Sequence, residues 1–366
     1  MLLSPPSTLL NIPAKKWAKK QQPKRILAIR LQAMGDLVIT LPYLQNLRNT
    51  LPESTKLDLL TRKEVESIPK NLELFNHVYS IGGGRNWKKQ LVLTWLHLPK
   101  LLFRRYDVVI DLQNNIFSKT VRKALRPSAW SEFDRFSPVP AGECTRLTIE
   151  AIGLGKCRAD SSFIIKTSNS DISNILKENG WDTRSNLVLL NPAAAFPTRN
   201  WPIERYSQFA DLWMKQFPDI QFVTMGTSFI SAKANFLKQK LGEALIDLVG
   251  KTTPVQAFAL LQKIQLVVSE DSGLMHMSWV SGIPTLALFG ATRSDRATPL
   301  GNHSLLLHSS DLPCGNCMLE QCRYGDNHCM TRYSAQFVFE KAIGLINSVD
   351  TKNNISIPNS VQLVEN

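Results

Sequence analysis

The sequence lacks any apolar run long enough to span a bilayer. The longest candidate, Leu91 to Phe103, is interrupted by His97, Pro99 and Lys100, whereas a spanning helix needs about 18 apolar residues. The first residues carry a short apolar stretch followed by basic residues, the reverse of the order in a secretory signal. The sequence therefore excludes a transmembrane protein and predicts a cytoplasmic one.

Cysteines and paired aspartates are also scarce. Six cysteines among 366 residues are too few for a fold built from disulfide bonds, and no Asp-x-Asp occurs in the chain. Without paired carboxylates there is no reason to expect a divalent metal that bridges a nucleotide diphosphate. The composition, 43% hydrophobic and 20% charged, excludes fibrous and wholly disordered chains. The length allows two domains of ordinary size.

Positive charge is abundant by contrast. The chain has 43 Lys and Arg residues against 30 Asp and Glu residues, which gives a net charge of +13. Such an excess predicts an anionic partner. Nucleic acid, an anionic membrane surface and a phosphorylated substrate all fit this description.

Short apolar runs alternate with amphipathic stretches from Arg25 onward, which is the pattern of a parallel sheet covered by helices. Between Cys157 and Asp182 the pattern becomes polar and irregular, and then the alternation begins again. We therefore expect two α/β domains facing a central cleft, with ligands beyond the carboxyl ends of the strands. The predicted organisation is a flexible basic arm (1–24), a first domain (25–170), a second domain (171–332), a C-terminal helix (333–350) and a flexible tail (351–366).

The first strand-to-helix turn, Leu31 to Asp36, carries a glycine and an aspartate. Gly35 permits a tight turn, and Asp36 suits the N-cap of the following helix. The alternative is that the Asp36 carboxylate accepts a proton from a substrate hydroxyl as a general base.

A later turn, Ser269 to His276, again joins a strand to a helix. The backbone amides of Ser272 and Gly273, together with the helix dipole, predict an anion site that suits a diphosphate. His276 is more typical of a packed histidine than of a catalyst. The loop Asn191 to Pro202 adds a cation, Arg199, which either clamps a phosphate or is an ordinary surface arginine.

The segment Gly82 to Lys89 is a cationic loop in which Arg85 and Lys88 suit contact with an acidic substrate. It lacks the setting and the ending of a P-loop. The following stretch, Leu91 to Arg105, is predicted as a core helix, with an interfacial helix as the alternative.

Four of the cysteines follow one another closely near the end of the second domain. They suggest two alternatives: a tetrahedral zinc site made of four thiolates, or reduced or disulfide-paired cysteines that pack within the domain. Their positions are Cys314, Cys317, Cys322 and Cys329.

Taken in order, the turns resemble those of glycosyltransferase family nine, the lipopolysaccharide heptosyltransferases, over roughly residues 25 to 345. The motifs that carry the resemblance are Met34-Gly35-Asp36, Asp111-Leu112-Gln113, Asn191-Pro192-Ala193 with Arg199-Asn200-Trp201-Pro202, Glu270-Asp271-Ser272-Gly273 with His276, and Leu288-Phe289-Gly290-Ala291-Thr292. The resemblance implies a GT-B fold of two Rossmann-like domains. It also implies inverting, metal-independent transfer of a sugar, heptose in this family, from an ADP-sugar to the lipopolysaccharide inner core.

The same resemblance assigns roles to residues. Asp36 matches the catalytic base, and Gln113 joins Arg85 and Lys88 as an acceptor-binding candidate. The donor-binding candidates are Arg199 for the phosphates, Thr252 near the adenine, Asp271 beside the sugar, Ser272 and Gly273 for the diphosphate, and His276. The sequence departs from the family where Ser228 replaces a ribose-binding glutamate and Ala194 and Ala195 replace a threonine pair.

The expected protein is thus a glycosyltransferase that needs no cofactor for catalysis, apart from the structural zinc that the cysteines suggest. Its expected partners are an ADP-sugar, an anionic glycolipid and the anionic inner face of the cytoplasmic membrane, with peripheral, salt-reversible attachment. The alternative is a basic nucleic-acid-binding protein with a four-cysteine zinc module.

Overall fold

The computed structural model describes residues 10–84, 86–350 and 361–364, and the chain divides into two α/β units between Lys166 and Thr167, near the boundary expected at residue 170. The elements of the first unit are β1 (Ala14–Lys15), β2 (Arg25–Ile29), α1 (Met34–Thr50), β3 (Lys56–Arg62), α2 (Ser67–Lys70), β4 (His77–Ile81), α3 (Trp87–Arg104), β5 (Val108–Asp111), α4 (Ile116–Leu125), β6 (Ala129–Glu132) and α5 (Ala141–Glu150). A further strand, β7 (Phe163–Ser168), runs across the division.

The first unit has one six-stranded sheet in the order β1-β6-β5-β2-β3-β4. All neighbouring strands are parallel except β1, which pairs with β6 in the antiparallel sense. Apart from Arg25 and Asp111, strands β2 and β5 consist of buried aliphatic residues, as is typical of a parallel sheet covered on both faces. Leu27, Ile29 and Val109 pack with Leu101 of α3 and Val121 of α4 in the core.

Two expectations for this region were wrong. Residues 10–24 are not a free arm: β1 pairs with β6, and the Trp17 amide donates to the Ile152 carbonyl at 2.8 Å. The edge of β6 offers unpaired backbone groups, and this segment satisfies them. The stretch from Cys157 to Asp182, expected to be irregular, contains β7 and a helix, α6 (Asn169–Glu178). The few apolar residues of α6 are dispersed among polar ones in the sequence, so the helical pattern is weak.

The second unit has a sheet whose strand order is that of a dinucleotide-binding Rossmann fold, β10-β9-β8-β11-β12-β13, with every pair parallel. Its remaining elements are β8 (Asn186–Asn191), α7 (Ile203–Gln216), β9 (Ile220–Gly226), α8 (Ser231–Leu241), β10 (Leu245–Val249), α9 (Pro254–Leu260), β11 (Ile264–Glu270), α10 (Gly273–Val280), β12 (Thr285–Leu288), α11 (Ser294–Ala297), β13 (Ser304–Leu307), α12 (His328–Thr331), α13 (Ala335–Asp350) and β14 (Val361–Val364).

The C-terminal helix expected at 333–350 is α13, and its buried Val338 and Ala342 belong to the same core as Trp213 of α7. The expected tail, 351–366, lies outside the described residues except for β14. Within the part of the chain that the structure describes, no helix combines the length and the apolar character that crossing a membrane requires.

Strand order reverses at one point in each sheet, between β2 and β5 in the first unit and between β8 and β11 in the second. Ligands of such sheets bind beyond the carboxyl ends of the strands at this point. The fold class expected from the sequence, two Rossmann-like α/β units with parallel sheets, is confirmed, and it directs attention to the turns that follow these four strands.

Candidate functional site

The turn after β2 holds a carboxylate beside a buried cation. Helix α1 has Ala33 as its N-cap without a side-chain hydrogen bond, so Asp36 lies inside the first turn and does not cap the helix. Instead, Asp36 Oδ1 accepts a hydrogen bond from Arg30 Nη2 at 3.0 Å. The Asp36 side chain is 35% exposed and that of Arg30 only 5%. The capping alternative was therefore wrong, and the carboxylate has one oxygen paired while the side chain stays partly open to solvent.

Arg30 is held in place from several directions. Its Nε donates to the Asp36 carbonyl at 3.2 Å, its Nη1 donates to the Leu112 carbonyl, and its guanidinium lies 4.9 Å from the Phe133 ring centroid. Burial lowers the pKa of Arg30, although the nearby carboxylate of Asp36 opposes this shift. An arginine remains cationic even so. Arg30 was not predicted as a site residue; its signal in the sequence is a charged residue directly after a buried aliphatic strand.

The polar residues of the turn after β5 form hydrogen bonds within that turn and with the neighbouring turn after β2. Asp111 Oδ1 accepts hydrogen bonds from the Gln113 and Asn114 amides at 3.1 and 2.7 Å, and burial raises the pKa of Asp111. Gln113 is buried; its Oε1 accepts from the Leu31 amide at 3.0 Å, and its Nε2 donates to Gln32 at 3.1 Å. Both ends of the Gln113 amide therefore brace the Asp36 turn, and its contact with an acceptor stays a prediction.

The other acceptor candidates precede or begin α3. Arg85 lies outside the described residues. Lys88 is exposed in the first turn of α3, with Nζ 5.8 Å from the Trp87 ring centroid. A cavity of about 390 Å³ at the start of α4 was not predicted from the sequence. Its basic lining residues are Lys119, Lys123 and Arg135.

In the second unit, a buried glutamate fixes the loop that follows β8. Glu270, the last residue of β11, accepts hydrogen bonds from the Ala194 amide at 2.9 Å and the Trp201 amide at 2.8 Å. Lys233 Nζ lies 3.6 Å from the same carboxylate. Burial raises the pKa of Glu270 to about 7, and Lys233 and the two amides only partly offset this shift. The sequence analysis gave Glu270 no role, although it too is a charge that ends a buried strand.

Arg199 lies in the loop that Glu270 fixes. Its Nη1 donates to Asp271 Oδ2 at 3.2 Å, and the same oxygen accepts from Thr292 Oγ1 at 2.8 Å. Its guanidinium lies 5.0 Å from the Phe196 ring centroid, and its side chain is 13% exposed. The buried Nε has no hydrogen-bond partner among the described residues. Arg199 is therefore not an ordinary surface arginine, because it is oriented by Asp271 and keeps an unused donor.

Helix α10 begins beside this pair. Ser272 is its N-cap: Ser272 Oγ accepts from the Met275 amide at 3.2 Å and from Asn191 Nδ2 at 2.8 Å. Amides in the first turn of a helix, which here starts at Gly273, have no intrahelical acceptor and carry the positive end of the helix dipole. The structure brings the predicted Arg199, Asp271, Ser272 and Gly273 together at the start of α10, and their binding of a diphosphate stays a prediction.

The last two donor candidates differ in their setting. His276 is buried, and its Nδ1 accepts a hydrogen bond from Trp279 Nε1 at 3.1 Å, as expected of a packed histidine. Thr252 is half-buried in the loop between β10 and α9, at the carboxyl end of its strand. Contacts of these two residues with a donor stay predictions.

Close packing at Gly290 fixes the Arg199 turn against the end of β12. A Cβ atom at Gly290 would lie 2.2 Å from the Thr198 carbonyl oxygen and 2.8 Å from Met330 Cγ, so no side chain fits. The neighbouring Ala291 amide donates to the same Thr198 carbonyl at 3.2 Å. The motif Leu288 to Thr292 thus supplies both the wall behind Arg199 and the hydroxyl that reaches Asp271.

The cysteine-bearing loop supports this turn from another side. The Met318 amide donates to the Ala291 carbonyl at 2.8 Å, and Thr198 Oγ1 donates to the Leu319 carbonyl at 2.5 Å. The loop surrounds a cavity of about 290 Å³ lined by all four clustered cysteines. Burial, together with the other three thiols, raises the pKa of Cys329 to about 11.

The cysteines of the chain are free thiols. Among residues 10–84, 86–350 and 361–364, no group of three or more His, Cys, Asp or Glu side chains is placed to hold a metal ion. The four clustered cysteines line one cavity, and both alternatives for them, a structural zinc site and packed thiols, stay predictions.

Comparisons with known proteins agree with this geometry. The chain is similar to the lipopolysaccharide core heptosyltransferase OpsX of Haemophilus influenzae, at 23% identity over 77% of this chain and 83% of the relative. The solved glycosyltransferase family 9 structure from Veillonella parvula has a TM-score of 0.72 and 19% identity, with 88% of this chain and 97% of that chain covered. The Escherichia coli ADP-heptose lipopolysaccharide heptosyltransferase II structure has a TM-score of 0.66 and 18% identity, with 89% and 99% covered.

The nucleic-acid-binding alternative finds no support in these comparisons. The model of glycosyltransferase family 9 (heptosyltransferase) matches residues 145–328, which is about half of the chain. That match contains the Glu270 loop, the Arg199 and Asp271 pair and the start of α10. The chain belongs to glycosyltransferase family 9, and it is a glycosyltransferase with two Rossmann-like units of the GT-B class.

Proposed function

We propose that this glycosyltransferase transfers a heptose from ADP-heptose to the inner core of lipopolysaccharide. The observation that carries the proposal is the anion-binding arrangement of Arg199 at the start of α10, which suits a nucleoside diphosphate. The names of the Haemophilus influenzae relative and of the Escherichia coli structure supply the sugar, the nucleotide and the acceptor class.

The diphosphate is held by Arg199 and by the first-turn amides of α10. The ion pair with Asp271 holds the Arg199 guanidinium beside this turn. Because the charge is met by a guanidinium and by helix amides, transfer requires no metal ion. Thr252 lies at the carboxyl end of β10, where the adenine is expected.

Asp36 acts as the general base. One of its oxygens is held by Arg30, and its partly exposed side chain leaves the other free to accept a proton from the acceptor hydroxyl. The hydroxyl oxygen then bonds to the anomeric carbon from the face opposite the diphosphate. The carbon–oxygen bond to ADP breaks, ADP leaves with the electron pair, and the configuration of the anomeric carbon inverts.

The acceptor is a lipid-anchored, anionic glycolipid of the cytoplasmic leaflet. Lys88 at the start of α3 and the cationic cavity at the start of α4 both follow strands of the first unit, and their charges complement acidic sugars and phosphates. Because these basic groups lie on two different helices, the acceptor can contact positive charges at two positions.

The test is direct. The purified protein is supplied with ADP-heptose and with lipopolysaccharide from a heptose-deficient strain, and ADP release and the product mass are measured. We expect one heptose added per acceptor, with the opposite anomeric configuration in the product by NMR. Transfer from UDP-sugars at an equal rate, or retention of configuration, contradicts the proposal.

A further inference from the structure

Helix α3 has two apolar faces, although only one of them packs against its own unit. Leu98 and Leu101 are buried on the inner face, and Leu101 belongs to the core of the first sheet. A helix on the surface of a globular unit normally presents polar residues outward. The core helix expected from the sequence describes the inner face of α3 but not its outer face.

The outer face carries a continuous apolar stripe. Val92 is 59% exposed, Trp95 56%, Leu96 65% and Phe103 88%. In an α-helix these four positions fall on one side, because residues three, four and eleven apart point in similar directions. Large apolar side chains exposed together in this way mark an interaction surface.

The charges that flank the stripe all have one sign. The sequence from Trp87 to Arg104 contains no Asp or Glu, and the basic residues of the helix are Lys88, Lys89, Lys100 and Arg104. Aromatic and aliphatic residues on one face with lysines and arginines beside them are typical of helices that lie in the headgroup region of an anionic bilayer.

We propose that the Val92, Trp95, Leu96 and Phe103 stripe of α3 inserts into the surface of an anionic membrane, with the helix lying in the plane of that surface. A second copy of the chain fits less well, since pairing two such helices brings lysines and arginines of both copies together without an acidic partner. An anionic lipid surface neutralises the same charges.

The position of α3 in the fold supports this occupant, and the argument here rests on the proposed function. Strands β2 and β4 are both parallel to β3, so their carboxyl ends lie at one edge of the sheet. Helix α3 follows β4 at that edge, and Asp36 follows β2. Docking through α3 thus keeps the edge that holds the general base close to a lipid-anchored acceptor.

The experiment uses the full chain with vesicles of phosphatidylcholine and phosphatidylglycerol at low and high salt. The triple variant Trp95→Ser, Leu96→Ser and Phe103→Ser removes the stripe but no charge. We expect its partitioning onto vesicles to fall at least ten-fold, and the blue shift of tryptophan fluorescence seen with the unaltered protein to be largely lost. The matched control is Phe229→Ser, which removes an exposed phenylalanine of the second unit; this variant should bind vesicles normally.

Activity separates this proposal from the proposed function. The triple variant should transfer heptose to a short, water-soluble core acceptor as fast as the unaltered protein, but more slowly to acceptor embedded in vesicles. Unchanged vesicle binding of the triple variant overturns the membrane proposal, as does a dimer in light scattering that the triple substitution dissociates. Vesicle binding that depends on the stripe, in a protein without heptose transfer, overturns the proposed function and leaves the membrane proposal intact.

Discussion

The two units build the same kind of turn at the same place in their sheets, yet they expose different chemistry. In each, an arginine and an aspartate pair beyond the carboxyl ends of the central strands. In the first unit the arginine is buried and the aspartate is the exposed member. In the second unit both are mostly covered, and the arginine keeps an unused donor. Under the proposed function, the first ion pair presents a proton acceptor and the second contributes to anion binding.

The two pairs have the same residue types and differ in which member is buried. Arg30 is surrounded by backbone carbonyls and the Phe133 ring, and its ion pair is with Asp36. Arg199 is oriented by Asp271, whose own Oδ2 is shared with Thr292. Four predictions test this division of labour.

The largest effect is expected at Asp36. Asp36→Asn keeps the size of the side chain but removes the proton acceptor, so turnover should fall on the order of 10²-fold or more. Because Asp36 does not cap α1 and the Asn amide oxygen can still accept the hydrogen bond from Arg30, the melting temperature should stay within a few degrees. The matched control is Glu204→Gln, an exposed first-turn acid of α7. Near-normal turnover in Asp36→Asn removes this residue from the mechanism.

Glu270 should make the stability of the second unit depend on pH. Its pKa is raised from an ordinary 4.5 to about 7, so the folded form is favoured most below pH 4.5 and loses this advantage as pH rises to 7. At roughly 1.4 kcal/mol per pKa unit, the loss amounts to up to about 3 kcal/mol. Urea unfolding of the unaltered protein and of Glu270→Gln across this range measures it.

The difference in unfolding free energy between the unaltered protein and Glu270→Gln should change with pH. The control is Glu243→Gln, an exposed substitution in the same unit, for which this difference should not change with pH. Parallel curves for the unaltered protein and Glu270→Gln contradict the raised pKa. Glu270→Gln should also weaken ADP binding, because a Gln side chain has one acceptor oxygen for the Ala194 and Trp201 amides.

A smaller effect is expected at Arg199. Arg199→Ala removes charge-assisted hydrogen bonds worth roughly 1.5 to 3 kcal/mol, so ADP should bind about ten-fold or more weakly by calorimetry. Arg184→Ala, at an exposed position of the same unit, controls for the loss of one positive charge. Equal ADP affinity in the two variants means that Arg199 does not contact the diphosphate.

The smallest effect is expected from chelation. EDTA should leave the transfer rate unchanged, since a guanidinium and helix amides carry the role that a metal would otherwise have. The zinc content of the same samples is measured by atomic absorption before and after treatment. Lost activity that magnesium restores contradicts a metal-independent mechanism.

The alternation of short apolar runs with amphipathic stretches predicted two α/β units, because strands such as β5 and β8 are mostly aliphatic. The missed elements are those whose apolar residues are few or dispersed, such as α6 and β1. The attachment of β1 depends on the edge of β6, more than one hundred residues away, and no local pattern carries that information.

For the site, motifs predicted which turns matter but not how their side chains pair. Asp36 and Arg199 were found through residue type and position after a strand. Arg30 and Glu270 were missed because a charge at the end of a buried strand acquires meaning only when its partners are known. The hydrogen bonds of the Gln113 amide to Leu31 and Gln32 were likewise not predicted, because these partners are more than eighty residues away in the sequence.

The contact between Gly290 and the Thr198 carbonyl links the Arg199 turn to the end of β12. The Thr198 carbonyl rests against a glycine that follows it by some ninety residues, with no space to spare for a methyl group. The turn that carries Arg199 therefore has its observed shape only with the end of β12 packed against it. The pairing of Arg199 with Asp271 is thus a property of the whole folded unit and not of the loop sequence by itself.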